Sequence, residues 1–89
     1  MPCTSRSALS RLLTVYSRAY CHLCDDMIAG LRALQATVPF ALEIIDVDGD
    51  AALESRYGEF VPVLAAGGVE LCHYRLDVVK VNEYLDKIR

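Results

Sequence analysis

The stretch Ser17-Arg18-Ala19-Tyr20-Cys21-His22-Leu23-Cys24 decides how this chain is read. Before it runs Arg11-Leu12-Leu13-Thr14-Val15-Tyr16, short and rich in β-branched, aromatic and aliphatic side chains, which predicts a buried strand. After it, apolar residues recur at helical spacing: Ile28, Leu31 and Leu34, closed by Gln35, with Met27 beside them. Asp25 and Asp26 fall in the first turn of that helix, where carboxylates complement the dipole, and Pro39 ends the element. The two cysteines of the C-x-x-C therefore sit where a strand ends and a helix opens.

Working outward, Phe40–Val47 predicts a second strand and Asp48-Gly49-Asp50 a turn. Asp50 N-caps a short helix through Tyr57, which Gly58 terminates. Val61-Pro62-Val63-Leu64-Ala65-Ala66 reads as a third strand, its proline tolerated near the start. Gly67-Gly68 supplies a hairpin turn, and Val69–Tyr74 pairs back as a fourth strand. Asp77 caps a last helix whose apolar stripe is Val78, Val81, Leu85 and Ile88. Gly30, inside the first helix, predicts close packing against a strand. The order is β-α-β-α-β-β-α. A crossover helix demands a parallel strand pair, and the glycine hairpin demands an antiparallel one. The expected fold class is α/β, a mixed four-stranded sheet flanked by helices on both faces.

Eighty-nine residues allow one domain with one modest core. We expect an N-terminal arm at residues 1–10 and the folded domain at residues 11–89. A hydrophobic fraction of 54% with 24% charged residues excludes a disordered tail. Nine basic against twelve acidic side chains, a net charge of −3, argue against nucleic acid as a partner. No apolar run reaches the ~20 residues that span a bilayer, so no membrane partner is expected. The arm carries Ser and Arg without acids, a faint likeness to a transit peptide, but a frayed extension is the plainer reading. Lacking a secretory apolar segment there, the chain is expected in a reducing cytoplasm, where a C-x-x-C is catalytic or metal-binding.

A thiol attacks a disulfide only as its thiolate. At a helix N-terminus, Cys21 gains unsatisfied N–H donors and the positive dipole end, both favouring the anion. Cys24, one turn along, is placed to attack a mixed disulfide formed at Cys21. Arg18 and His22 favour the thiolate, whereas Asp25 and Asp26 oppose it.

Three features together, the 17–24 stretch, Val61-Pro62 and Gly67-Gly68, in this element order, make the chain resemble the glutaredoxin-like members of the thioredoxin superfamily. It is similar most of all to small bacterial proteins with a C-H-L-C motif. The resemblance covers Leu12 to Arg89. It implies a thioredoxin-like fold and a thiol–disulfide oxidoreductase in which Cys21 is the nucleophile and Cys24 resolves. It further implies that Arg18 meets a glutathione carboxylate, that Pro62 is cis, and that the Val61 backbone pairs with substrate. Asp77 would meet the γ-glutamyl end. Tyr20, read from the residues alone, either lines a substrate groove or caps the edge of the core. Protein or small-molecule disulfides are the expected substrates of a monomer, recycled by glutathione or a thioredoxin-type reductant. No cofactor is expected, with glutathione the candidate co-substrate. The chain departs from the glutaredoxin pattern at His22-Leu23 between the cysteines and at Phe60 before Val61-Pro62. It departs again at His73-Tyr74-Arg75, where a second glycine pair would stand. Those side chains predict that glutathione binds poorly.

Two other readings compete. A thioredoxin-fold domain could hold an extended peptide at its sheet edge and Val61–Pro62 loop without turnover. Cys21, Cys24, Cys72 and His73 have ligand types that suit zinc or an iron–sulfur cluster, but adjacent strand residues 72 and 73 point to opposite faces. No metal is therefore expected; Cys72 reads as a small buried hydrophobe and His73 as a surface residue.

Overall fold

Strand β1 (Leu12–Ser17) alternates strictly: Leu13, Val15 and Ser17 are buried, while Leu12, Thr14 and Tyr16 are half-buried. That period of two is the mark of a strand covered unequally on its two faces. The computed structural model describes residues 12–87, so the expected arm, the first residue of the expected strand and Ile88 lie outside the described residues. The elements that follow are α1 (His22–Gln35), β2 (Ala41–Asp46), a 3₁₀ turn (Val47–Gly49), α2 (Ala51–Tyr57), β3 (Val63–Ala66), β4 (Val69–His73) and α3 (Val78–Lys87).

The sheet order is β2-β1-β3-β4. β1 runs parallel to β2, with Leu13 beside Leu42 and Val15 beside Ile44. It runs antiparallel to β3, with Tyr16 beside Val63, and β3 runs antiparallel to β4. Gly67 and Gly68 make the hairpin turn with φ of +58° and +83°, values that L side chains reach only at a cost. The mixed four-stranded α/β architecture expected from the sequence is the one observed. The pairing of β3 with β4 slips by one residue between Leu64 and Ala65, a bulge the sequence does not announce.

Helices α1 and α3 share one face of the sheet. Met27 and Leu31 from α1, Val81 and Leu85 from α3, Leu13, Val15, Leu64, Ala66 and Cys72 from the strands, and Phe40 form one buried cluster. Each helix contributes residues four apart, which lie on one face. The opposite face carries Tyr16, whose ring stacks on Tyr57 of α2 at 4.1 Å between centroids. Desolvation there, with the neighbouring Tyr57, raises the Tyr16 hydroxyl above its ordinary range.

The caps form as the sequence predicts. Asp50 accepts from the N–H groups of Ala52 (2.9 Å) and Leu53 (3.1 Å), and Asp77 from that of Lys80 (3.1 Å). Gly58 ends the short helix as expected, whereas Gly30 plays a different part from the one expected. Gly58 ends α2 in the right-handed region, with φ −53° and ψ −35°, rather than as a left-handed cap. It is needed for space, because a Cβ there would lie 2.5 Å from the Glu54 carbonyl oxygen. Gly30 faces the side chain of Leu76, in the loop between β4 and α3, rather than a strand.

Candidate active site

The chain leaves β1 at the buried Ser17 and reverses through Tyr20, whose φ of +58° is unusual for a bulky residue. Cys21 then takes an extended conformation (φ −118°, ψ 107°) and serves as the N-cap of α1. Its sulfur accepts a hydrogen bond from the Cys24 N–H at 3.1 Å, and its carbonyl accepts from the Asp25 N–H at 3.0 Å. The two cysteines are joined by a disulfide, with Cα atoms 5.2 Å apart. Cys21 is half-buried, whereas Cys24 is only 1% exposed. One sulfur therefore faces incoming molecules and the other is covered. His22, Asp25 and Asp26 are exposed, so their charges reach Cys21 through water and are weakened by it.

Opposite this turn stands Val61-Pro62, joined by a cis peptide bond. It lies immediately before β3, and because Tyr16 pairs with Val63, it flanks the end of β1 that leads to Cys21. On its other side the Tyr74 N–H donates to the Pro62 carbonyl at 2.9 Å. Among the described residues no hydrogen bond joins the Val61 backbone to the rest of the chain.

The remaining residues singled out from the sequence are scattered around this centre. Tyr20 points fully into solvent. The Arg18 guanidinium meets the Asp48 carboxylate of the 3₁₀ turn at 3.0 Å and borders a depression with Glu54, Ser55 and Glu59. Asp77 lies beyond β4, at the start of α3, with one carboxylate oxygen engaged by its cap. Cys72 is buried, and desolvation raises its thiol above the ordinary range. Exposed His73 pairs instead with Glu70 at 2.7 Å. Among the described residues no group of three potential ligands is placed to hold a metal ion.

Sequence reasoning treated Phe60 and Tyr74 only as departures from a family pattern. In the structure they meet. The Phe60 ring lies 6.4 Å from that of Tyr74 and 5.7 Å from that of His73. The Tyr74 hydroxyl donates to the Glu59 carbonyl at 2.9 Å, pinning the ring across the segment that leads into Val61-Pro62. Tyr74 adopts φ +65°, so the backbone bend that a glycine would ease is present with a full side chain. An aromatic residue directly before a Val-Pro and another twelve residues after it were the available signal, but only the β3–β4 pairing makes them neighbours.

A mixed sheet ordered β2-β1-β3-β4, a cysteine pair at the first turn of α1 and a cis-proline across from it define a glutaredoxin-like protein of the thioredoxin fold. Residues 12–86 match the family model described as a glutaredoxin-like domain (DUF836), and the chain belongs to that family. Protein Ne2328 from Nitrosomonas europaea, solved by NMR, is 48% identical, with 84% of this chain and 91% of that chain covered and a TM-score of 0.77. The X-ray structure of XcR50 from X. campestris is 41% identical over 84% of this chain and 96% of that one, with a TM-score of 0.68. Glutaredoxin C1 from Populus tremula x tremuloides shares the fold at 17% identity, covering 93% and 90% of the two chains at a TM-score of 0.57. The search of curated proteins gave no match. No helix among the described residues is long and apolar enough to cross a membrane.

Proposed function

We propose that this protein is a dithiol–disulfide oxidoreductase with Cys21 as nucleophile and Cys24 as resolving thiol. The observation that carries the reading is the asymmetry of the pair: Cys21 caps α1 and receives the Cys24 N–H, while Cys24 is covered. A hydrogen bond to a charged acceptor contributes about 1.5–3 kcal/mol and the helix dipole about 0.3–1 kcal/mol, so both favour the Cys21 thiolate.

In the reduced protein the Cys21 thiolate attacks one sulfur of a substrate disulfide. The substrate S–S bond breaks, a Cys21–substrate disulfide forms, and the departing thiolate takes a proton from water. Cys24 then loses its proton and attacks the Cys21 sulfur. The second substrate thiolate leaves, and the Cys21–Cys24 disulfide forms. Two electrons pass from the cysteine pair to the substrate. An external thiol reductant, glutathione or a thioredoxin-type protein, supplies two electrons to restore the dithiol.

The test compares two variants. Cys21→Ser abolishes disulfide reduction, whereas Cys24→Ser accumulates a mixed disulfide at Cys21 that mass spectrometry detects. If iodoacetamide at mildly acidic pH labels Cys24 or Cys72 faster than Cys21, the assignment of roles is wrong.

A further inference from the structure

We propose that Phe60 and Tyr74 form a seat for a bulky apolar side chain beside the reacting cysteine of an extended polypeptide, so that protein disulfides are preferred over glutathione disulfide. The inference rests on the oxidoreductase reading above and names its substrate class. Four observations carry it.

The first is the exposure of apolar surface on the segment leading into Val61-Pro62 and between the two cysteines. Phe60 and Tyr74 are each 42% exposed and Leu23 is 39% exposed, though all three belong to types that folding usually covers. The second is that the two rings are held rather than loose. Phe60 lies against His73 and Tyr74, and Tyr74 is tied at both ends, by its N–H to Pro62 and by its hydroxyl to Glu59. A preordered apolar surface loses little freedom on binding.

The third concerns main-chain groups. The Pro62 carbonyl is turned toward β4, where Tyr74 bonds it. The N–H and C=O of Val61 have no hydrogen-bond partner among the described residues, and they stand next to the point where β1 stops at Ser17. A polypeptide laid there extends the sheet and brings its next side chain over Phe60.

The fourth is charge. A tripeptide with two carboxylates needs fixed cations and an open backbone. Arg18 is already engaged by Asp48, and the bend at Tyr74 carries a phenol ring instead of bare backbone.

The experiment measures the second-order rate at which each disulfide oxidises the reduced protein, followed by loss of the Cys21 and Cys24 thiols. Two peptides of equal length carry one internal disulfide, flanked by Leu in one and Ser in the other. Glutathione disulfide and 2-hydroxyethyl disulfide complete the set. We expect the Leu peptide to react about tenfold faster than the Ser peptide, the size of effect that partial burial of one apolar side chain gives, and faster than glutathione disulfide. Phe60→Ala brings the two peptides to within about twofold, and Phe60→Leu keeps the preference. Tyr74→Gly removes the second ring while suiting φ +65°, and lowers the ratio without a backbone penalty. Equal rates for both peptides, a ratio that survives Phe60→Ala, or glutathione disulfide reacting fastest would overturn the seat alone. If even 2-hydroxyethyl disulfide leaves the cysteine pair reduced, the oxidoreductase reading fails and the seat falls with it.

Discussion

Replacing Gly58 with Ala should destabilise the protein, against the usual direction of that change. In right-handed helical conformation, Gly→Ala ordinarily stabilises by about 0.4–1 kcal/mol, because it restricts the unfolded chain. Gly58, with φ −53° and ψ −35°, fulfils that condition. Yet the added Cβ would stand 2.5 Å from the Glu54 carbonyl oxygen and 3.2 Å from Glu54 Cγ, and the first of these is backbone that cannot swing aside. Relief requires opening the last turn of α2 and weakening the Gly58 N–H to Glu54 carbonyl bond, now 2.8 Å. Losing that bond costs about 1 kcal/mol, and forcing atoms into filled space typically costs about 1–3 kcal/mol. Set against the entropic gain, the net loss is about 1–3.5 kcal/mol, each kcal/mol lowering the melting midpoint by about 4–8 °C for a domain of this size. Urea and thermal unfolding of the oxidised protein measure it. A midpoint equal to or above that of the parent would refute the steric argument. The shift also reaches the site, since Glu59 follows directly and its carbonyl holds the Tyr74 hydroxyl.

Two further outcomes are expected. Cys72 should resist alkylation through neutral pH and react only well above the ordinary thiol range, because burial raises its thiol. The linked stability has a definite sign: the folded state holds the Cys72 proton more tightly than the unfolded chain does. That contribution is present below the ordinary thiol range and is lost as pH rises toward the elevated folded value. Denaturant midpoints of parent and Cys72→Ala should therefore converge on the alkaline side; a constant gap would count against it. Asp50→Ala removes an acceptor shared by the Ala52 and Leu53 N–H groups and should cost about 0.5–2 kcal/mol by urea unfolding. An unchanged midpoint would mean that water replaces the cap without loss.

Much of the fold could be read before any coordinates because its signals are local. The β-branched and aliphatic run of β1, the helical spacing of Ile28, Leu31 and Leu34, the caps at Asp50 and Asp77 and the turn at Gly67-Gly68 each depend on a few neighbouring residues. The Cys21–Cys24 pair was legible for the same reason, since the spacing and the helix start lie within one segment. What escaped is what the sheet brings together across distance. Arg18 and Asp48 meet because parallel pairing sets the ends of β1 and β2 side by side. Phe60 and Tyr74 meet because β3 and β4 form a hairpin with a bulge that no residue type advertises. The part of Gly58 also depended on space: its sequence position marks a helix end equally well for a left-handed cap and for a crowded right-handed one.

The two strands that flank Cys21 and the cis-proline, β1 and β3, are the inner pair of the sheet, with β2 and β4 outside them. Local opening of a small protein starts at edges and ends, where few buried contacts hold the backbone. In this protein, fraying of β2, of β4 or of the C-terminal turn of α3 can therefore come and go while the inner pair stays closed. In the dithiol–disulfide exchange proposed above, each cycle makes and breaks a covalent bond in the chain itself, and the partner must be released every time. A scaffold whose loosest parts lie outside the two strands carrying the chemistry can bend to different partners at its rim. It still returns Cys21 and Pro62 to the same places for the next exchange.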